Sequence, residues 1–247
     1  MTVVFVLGNL NYNKKVRKTL TINTEKPLER PLKVVLLSDL HIGYTNRLAE
    51  LRRWIGLINA ENADLVIVGG DIIDGSLRAI DHQNMADELK KIKAPVYASL
   101  GNHEYYAGVD GAVDFYKRAG IRLLRDESVS VDGINIVGRD DRTNVKRRPL
   151  SHLMEEIDRS RFTLLIDHQP YKLEKAEREC IDFQFSGHTH YGQVWPISWI
   201  EDRIYEDAYG LLRKGSTTYY VSSGMGIWGG KFRIGTQSEY IVLEIRN

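Results

Sequence analysis

The sequence predicts an α/β fold in which two packed mixed β-sheets are flanked by helices. Three observations carry that expectation. Short apolar, mostly β-branched runs recur along the chain, the clearest being Leu65-Val66-Ile67-Val68, and such runs read as buried strands. Segments with helical spacing alternate with them up to about residue 180, after which strands dominate. Several runs end in a carboxylate, an imidazole or an amide, at the strand edge where open α/β sheets place ligand sites.

In chain order, residues 3–7 and 16–22 read as strands around the polar turn Asn9 to Lys15. A stronger strand, Leu32 to Leu37, is followed by a helix with Asn46 as cap and Leu48, Leu51, Ile55 and Ile58 on one face. The run 65–68 is expected to be covered by helices on both faces. A second helix over 82–93, a strand over 95–100 and a third helix over 110–119, stopped by Gly120, come next. Asp132-Gly133 marks a tight hairpin. The basic loop Arg139 to Arg148, a short helix over 151–157, a strand over 162–167, a polar helix over 171–179 and a strand at 183–186 complete the alternation. Strands at 217–222 and 240–245 close the chain, with a Gly-rich turn between them.

Composition narrows the function classes. The 247 residues suit one domain over 1–247, and a net charge of +1 with 27% charged residues implies no broad polyanion-binding face and no dedicated nucleic-acid partner. The single cysteine, Cys180, cannot form an intrachain disulfide and reads as a small, partly buried residue. No run is long enough to cross a bilayer, so the chain as given is expected to be soluble, cytoplasmic or membrane-peripheral. Because it opens inside an apparent strand, an upstream anchor outside these residues stays open.

The strand ends read Asp39-x-His41, Asp71, Asn102-His103, His168 and His188-x-His190. Carboxylates, imidazoles and an amide are ligands of borderline divalent metals such as Mn, Fe, Zn or Co. One intervening residue in an extended segment puts Asp39 and His41, or His188 and His190, on one face. The set exceeds what one ion needs, and two ions sharing Asp71 suit the count. His82 and His152 fall outside these clusters and read as surface histidines.

The order D-x-H, G-D-x-x-D, G-N-H-E, a lone His before Pro, and G-H-T-H resembles the calcineurin-like metallophosphoesterase superfamily over residues 38–191. The strings Ser38-Asp39-Leu40-His41-Ile42-Gly43, Gly138-Arg139-Asp140-Asp141 and Gly187-His188-Thr189-His190-Tyr191-Gly192-Gln193 are similar to its bacterial YkuE/YaeI-like branch. Tyr191 stands where many members of that branch have Gly, which implies a differently shaped pocket edge. The resemblance implies the four-layer sandwich of that superfamily and a dinuclear centre, with manganese first and Fe, Zn, Co or Mg as alternatives. It implies that Asp39, His41 and His190 hold one ion, that Asn102, His168 and His188 hold the other, and that Asp71 bridges them. His103 would face the leaving group, oriented by Asp74; a helix cap is the competing role for Asp74. The implied activity is hydrolysis of a phosphate ester by in-line attack of a hydroxide bridging two divalent metals, with no covalent enzyme intermediate.

Substrate hints are weaker. Arg139, Arg142, Lys146, Arg147 and Arg148 form a loop suited either to a solvated surface or to gripping a second phosphate or an acidic lipid headgroup. Trp195, Ile197, Trp199, Ile200 and Trp228 flank the last histidine motif and suit either core or an apolar lip. Together they point to a phosphodiester or pyrophosphate, small or lipid-linked, and to an acidic membrane surface as partner. The alternatives are a phosphomonoesterase or metal-dependent nuclease on the same centre, or a non-catalytic scaffold of the same fold. A scaffold would lack part of the ligand set, and a nuclease would carry a broad basic face.

Overall fold

The computed structural model describes residues 2–247. The chain opens with helix α1 (Thr2–Asn13) and strand β1 (Lys15–Asn23). Strand β2 (Leu32–Leu37), helix α2 (Leu48–Ala60) and strand β3 (Leu65–Val68) follow. Short helices α3 (Leu77–His82) and α4 (Met85–Leu89) lead to β4 (Val96–Ala98). Helices α5 (Asn102–Ala107) and α6 (Val109–Arg118) precede β5 (Arg122–Leu123). A hairpin of β6 (Glu127–Val131) and β7 (Ile134–Gly138) turns at Asp132-Gly133, where both residues take the positive φ (48° and 81°) that a tight two-residue turn demands. Helix α7 (Leu150–Met154), β8 (Thr163–Ile166), α8 (Glu174–Arg178) and β9 (Phe183–Ser186) alternate after it. Helix α9 (Ser198–Ile204), β10 (Gly210–Lys214), β11 (Thr217–Val221) and β12 (Ser238–Arg246) complete the chain.

These strands form two six-stranded mixed sheets, ordered β1-β12-β2-β3-β4-β5 and β10-β11-β9-β8-β7-β6. The alternation of side chains along each strand sorts them into layers. Leu65 and Ile67 of β3 meet Ile136, Leu164, Ile166 and Phe185 between the sheets. Val66 and Val68 of the same strand meet Trp54, Ile55 and Phe115 under the outer helices. On the far side, Val137 and Leu165 pack under Leu153 and Leu173. The result is helix, sheet, sheet, helix. β3 is therefore apolar throughout because a helix layer covers one face and the second sheet the other, not because helices cover both.

Four local expectations change. Residues 3–7 lie in α1, not in a strand, and Asn9 to Asn13 continue that helix instead of forming a turn. Their β-branched residues favour a strand, but among the described residues no strand pairs with them, so the backbone satisfies its own donors and acceptors helically. The expected 82–93 helix is two, α3 and α4, separated at Asn84 by a left-handed backbone (φ 51°). Asn46 does not cap α2, which starts after Arg47. Its buried amide donates to the carbonyls of Leu40, His41 and Ile227 at 2.8–3.0 Å and accepts from Tyr12 Oη at 2.6 Å. Cys180 is exposed, at a positive φ of 54°. His82 and His152 are exposed as expected.

Candidate metal centre

Parallel strands end on one edge, and here the loops after β2, β3, β4, β8 and β9 converge there. They carry Asp39, Asp71, Asn102, His168 and His188 respectively. The backbone of this edge is strained: Asp39, His41, Asp71, His188 and His190 all take positive φ between 45° and 75°. Such a conformation costs a non-glycine residue energy and persists where surrounding contacts over-determine it, as they do at functional sites.

The side chains fall into overlapping groups. In the first, His41 Nε2 lies 3.0 Å from His190 Nε2, and Asp39 Oδ1 lies 3.4 Å from His190 Nε2 and 3.8 Å from His41 Nε2. In the second, His168 Nε2 lies 3.1 Å from Asp71 Oδ2, with His188 in the same cluster and Asn102 Oδ1 2.8 Å from His188 Nδ1. Asp71 Oδ2 is also 3.8 Å from His41 Nε2, so one carboxylate faces both groups. His103 joins from the rim, its ring packed edge-on against His41 at 4.5 Å and its Nδ1 3.1 Å from Asp74 Oδ1. All nine residues singled out in the sequence thus fall in one connected cluster, and Asp71, Asn102, His103, His188 and His190 of them line the pocket.

The donor set suits divalent cations. His168 Nε2 is buried without a well-formed hydrogen bond, an expense a protein accepts where another ligand satisfies the atom. His168 Nδ1 lies 2.6 Å from the Gly69 carbonyl, so it donates there and leaves Nε2 facing Asp71, the arrangement typical of a ligating histidine. Glycine is required nearby: a Cβ on Gly101 would lie 2.2 Å from Asp71 Oδ1, and one on Gly187 would lie 2.2 Å from Asp39 Oδ2.

Electrostatics follow from burial and crowding. Burial, then the neighbouring Asp71 charge, push Asp39 up to about 6 despite His168 and the Ser38 hydroxyl. Burial would raise Asp71 too, but His168, His41 and His103 hold it well below the carboxylate range. Burial lowers His41 and His188, each to about 4, and takes His190 well below the usual histidine value. His168 goes the other way: burial disfavours its charge, yet Asp71, Asp39 and Asp141 keep it raised. His103 is also raised, since Asp74 and Asp71 outweigh burial.

Two supporting residues carried no assigned role in the sequence. Glu104, fully buried, accepts from the backbone N–H groups of Asp71, Ile73 and Gly101 at 2.7–3.1 Å and so ties the β3 loop to the β4 loop. Its position three residues after Gly101 in G-N-H-E was the available signal. Arg233, 1% exposed, donates to the carbonyls of His190, Ser223 and Gly226 at 2.6–3.1 Å and lies 3.2 Å from His190 Nδ1. No spacing signal marked it.

The basic loop serves the scaffold more than a ligand. Buried Arg139 and half-buried Arg147 both pair with Asp167, beside His168, at 2.9 and 3.0 Å. Arg148 pairs with Glu156, while Arg142 lies over the Tyr171 ring at 3.8 Å and Lys146 is exposed. Three of the five cations are thus paired with carboxylates of this chain, two of them on buried Asp167 and one on exposed Glu156. Tyr191 stacks on Tyr209 at 5.0 Å in a left-handed conformation (φ 49°), which explains why glycine suits that position elsewhere. The pocket, about 240 Å³, is walled by Asp71, Asn102, His103, His188, Ile197 and Trp228 among others.

A sequence-family profile described as calcineurin-like phosphoesterase matches residues 32–192. A Helicobacter pylori protein named as an uncharacterized metallophosphoesterase is 32% identical over 225 residues, covering 88% of this chain and 60% of its own. A zebrafish (Danio rerio) protein named as a transmembrane protein with metallophosphoesterase domain is 31% identical, covering 88% of this chain and 55% of its own. Bacillus subtilis YkuE, an uncharacterized metallophosphoesterase, is 27% identical, covering 87% and 79%. The chain therefore spans little more than half the length of some curated relatives. Among solved structures, Plasmodium GAP50, titled as the anchor in the inner membrane complex, has a TM-score of 0.56 at 13% identity, covering 89% of this chain and 82% of its own. A zebrafish dimetal phosphatase has a TM-score of 0.51 at 12% identity, covering 79% and 88%. These two neighbours share the fold. The chain belongs to the calcineurin-like phosphoesterase family, and its enzyme class is that of the metallophosphoesterases.

Proposed function

We propose that this chain hydrolyses a phosphodiester or pyrophosphate with two divalent cations, manganese first among them. The observation that carries the reading is the position of Asp71, whose Oδ2 faces His168 at 3.1 Å and His41 at 3.8 Å. In this reading Asp39, His41 and His190 would hold one ion and Asn102, His168 and His188 the other, with Asp71 available to both. Divalent ions in such a site supply Lewis acidity, offset phosphoryl charge and lower the pKa of water.

The protein's own contribution is placement and proton transfer. His103 donates from Asp74-held geometry to the oxygen that departs, and the Asp74 and Asp71 charges outweigh burial to favour its protonated form. Asn102, being neutral, spares the anionic substrate another repulsive carboxylate. The substrate phosphate sits in the pocket beside Asn102 and His103. Both sheets supply ligands, so residues 1–247 act as one unit in this reading. We place the protein at a membrane surface, with an amphiphilic phosphate ester as substrate. The zebrafish relative's name and the exposed indoles beside the pocket support that placement.

The test is a panel of aryl phosphodiester, pyrophosphate and monoester substrates assayed with Mn, Fe, Zn, Co and Mg. Diester or pyrophosphate turnover, with heavy-oxygen label from water passing directly into product phosphate, is the expected result. A chain inert across the whole panel refutes the reading and favours a scaffold. Label found first in a protein carboxylate rules out the direct displacement.

A further inference from the structure

Within α1, the side chains of Val3, Val4, Phe5, Val6 and Leu7 are 47–69% exposed, and residues 2–10 contain no ionisable group. Successive helix residues point about 100° apart, so five in a row face every direction around the rod. A helix apolar all round belongs in a core or in lipid. A groove on a protein partner would cover one side of it and leave the other in water.

The polar contacts and close backbone approach that attach the helix to the body lie in its C-terminal half. A Cβ on Gly8 would lie 3.1 Å from Phe232 and Ile234, Asn11 donates to the carbonyls of Arg233 and Thr236, and Tyr12 is buried on Asn46. The apolar surface continues from there. Phe5 packs edge-on against Phe232 at 5.1 Å, and Val194 bridges to Ile234. Trp195 and Trp199 meet edge to face at 5.5 Å. These two indoles, Ile200 and Trp228 are 53–61% exposed. Indoles, with an apolar body and one N–H, concentrate at the boundary between hydrocarbon and headgroups.

We propose that α1 and this tryptophan lip dock on a lipid bilayer, with the first turns of α1 in the hydrocarbon and the indoles at headgroup level. Residues 2–10 rise about 13 Å at 1.5 Å per residue, close to the ~15 Å depth of one leaflet. Asn9, Asn11 and Asn13, with Lys14 after them, form the polar collar where the rod meets the body. Ile197 and Trp228 belong both to this surface and to the pocket wall, so docking brings the pocket to the headgroup plane. That last consequence rests on the phosphoesterase reading; the docking does not.

Flotation of the full chain with neutral phosphatidylcholine vesicles tests the docking without any assay of turnover. The chain floats, keeps floating in high salt because the patch is uncharged, and its tryptophan emission is quenched by brominated lipid. The double variant Phe5→Ser/Leu7→Ser partitions about a hundredfold more weakly, and Trp199→Ser weakens partition as well. Val145→Ser, more exposed still at 92% but outside the patch, floats like the parent. Soluble aryl-ester turnover by Phe5→Ser/Leu7→Ser stays at the parent level, which certifies its fold; if the parent proves inert, circular dichroism does so instead. A parent chain that stays with the unbound protein overturns the proposal. So does a stable dimer whose formation, not vesicle binding, is what Phe5→Ser/Leu7→Ser abolishes.

Discussion

His103 Nδ1 lies 3.1 Å from Asp74 Oδ1 at the pocket rim, where the two side chains are 20% and 23% exposed. The carboxylate fixes the ring so that Nδ1–H donates to Asp74 and the other nitrogen is free for the substrate. Burial, the largest single influence, opposes charge on His103, and Asp74 and Asp71 reverse it. Removing Asp74 therefore lowers the His103 pKa, and the imidazolium is lost at a lower pH. For Asp74→Asn the basic limb of the kcat/KM profile moves to lower pH and kcat falls about tenfold with little change in KM. His103→Gln loses roughly a hundredfold or more, and loses more on alkyl than on aryl leaving groups, because poor leaving groups need the proton most. Equal losses for both substrate types would remove the acid role.

Gly101→Ala tests how closely the β4 loop must approach Asp71. The new Cβ would lie 2.2 Å from Oδ1 and 2.8 Å from the Asp71 nitrogen, a clash with backbone that no side-chain rotation relieves. Thermal unfolding is expected to show a loss of about 1–3 kcal/mol, and equilibrium dialysis to show weakened manganese binding.

Arg233→Met removes a buried clamp on the loop that follows β11. Carbonyls of His190, Ser223 and Gly226 lose their donor together, and leaving such groups buried and unpaired costs about 1–3 kcal/mol each before relaxation. Chemical denaturation is expected to show a loss of several kcal/mol. Arg233→Lys, which keeps the charge but not the fork, is expected to fold and to bind metal about ten to a hundredfold more weakly.

Asp207 gives the fold a pH signature away from the proposed metal ligands. Burial and the nearby Glu206 charge raise it to about 6, and its Oδ2 is buried without a hydrogen-bond partner. The folded chain therefore holds this proton where the unfolded chain has released it, and stability falls as pH rises from about 4 through about 6. Asp207→Asn removes that slope and raises stability at pH 7 by about 1 kcal/mol, once partial exposure and solvent screening are allowed for. Melting temperatures measured across pH 4–8 check both the sign and the window.

The layered fold was legible because strand patterning is strong in this chain. Leu65 to Val68 is too apolar to face water on either side, and Asp132-Gly133 dictates its turn. The clustering of the candidate site was legible because its residues end strands, where sequence position nearly fixes spatial position. Other features were not, for physical reasons. The local preference of Val3 to Leu7 for extended structure is overruled because, among the described residues, no strand pairs with them, which only tertiary structure reveals. Asn46 and Arg233 act through main-chain carbonyls remote in sequence, and carbonyls leave no mark on side-chain patterns. Charge in the Arg139–Arg148 loop suggested a ligand grip, yet its partners Asp167 and Glu156 come from segments that follow it.

The most direct test of the shared carboxylate is the stoichiometry and magnetic coupling of bound manganese. Elemental analysis with electron paramagnetic resonance of the loaded chain is expected to give two Mn per chain with the signal of an exchange-coupled pair. Asp71→Asn is expected to abolish the coupling along with turnover. One ion per chain in the parent, or a coupled pair that survives Asp71→Asn with activity intact, would contradict the account.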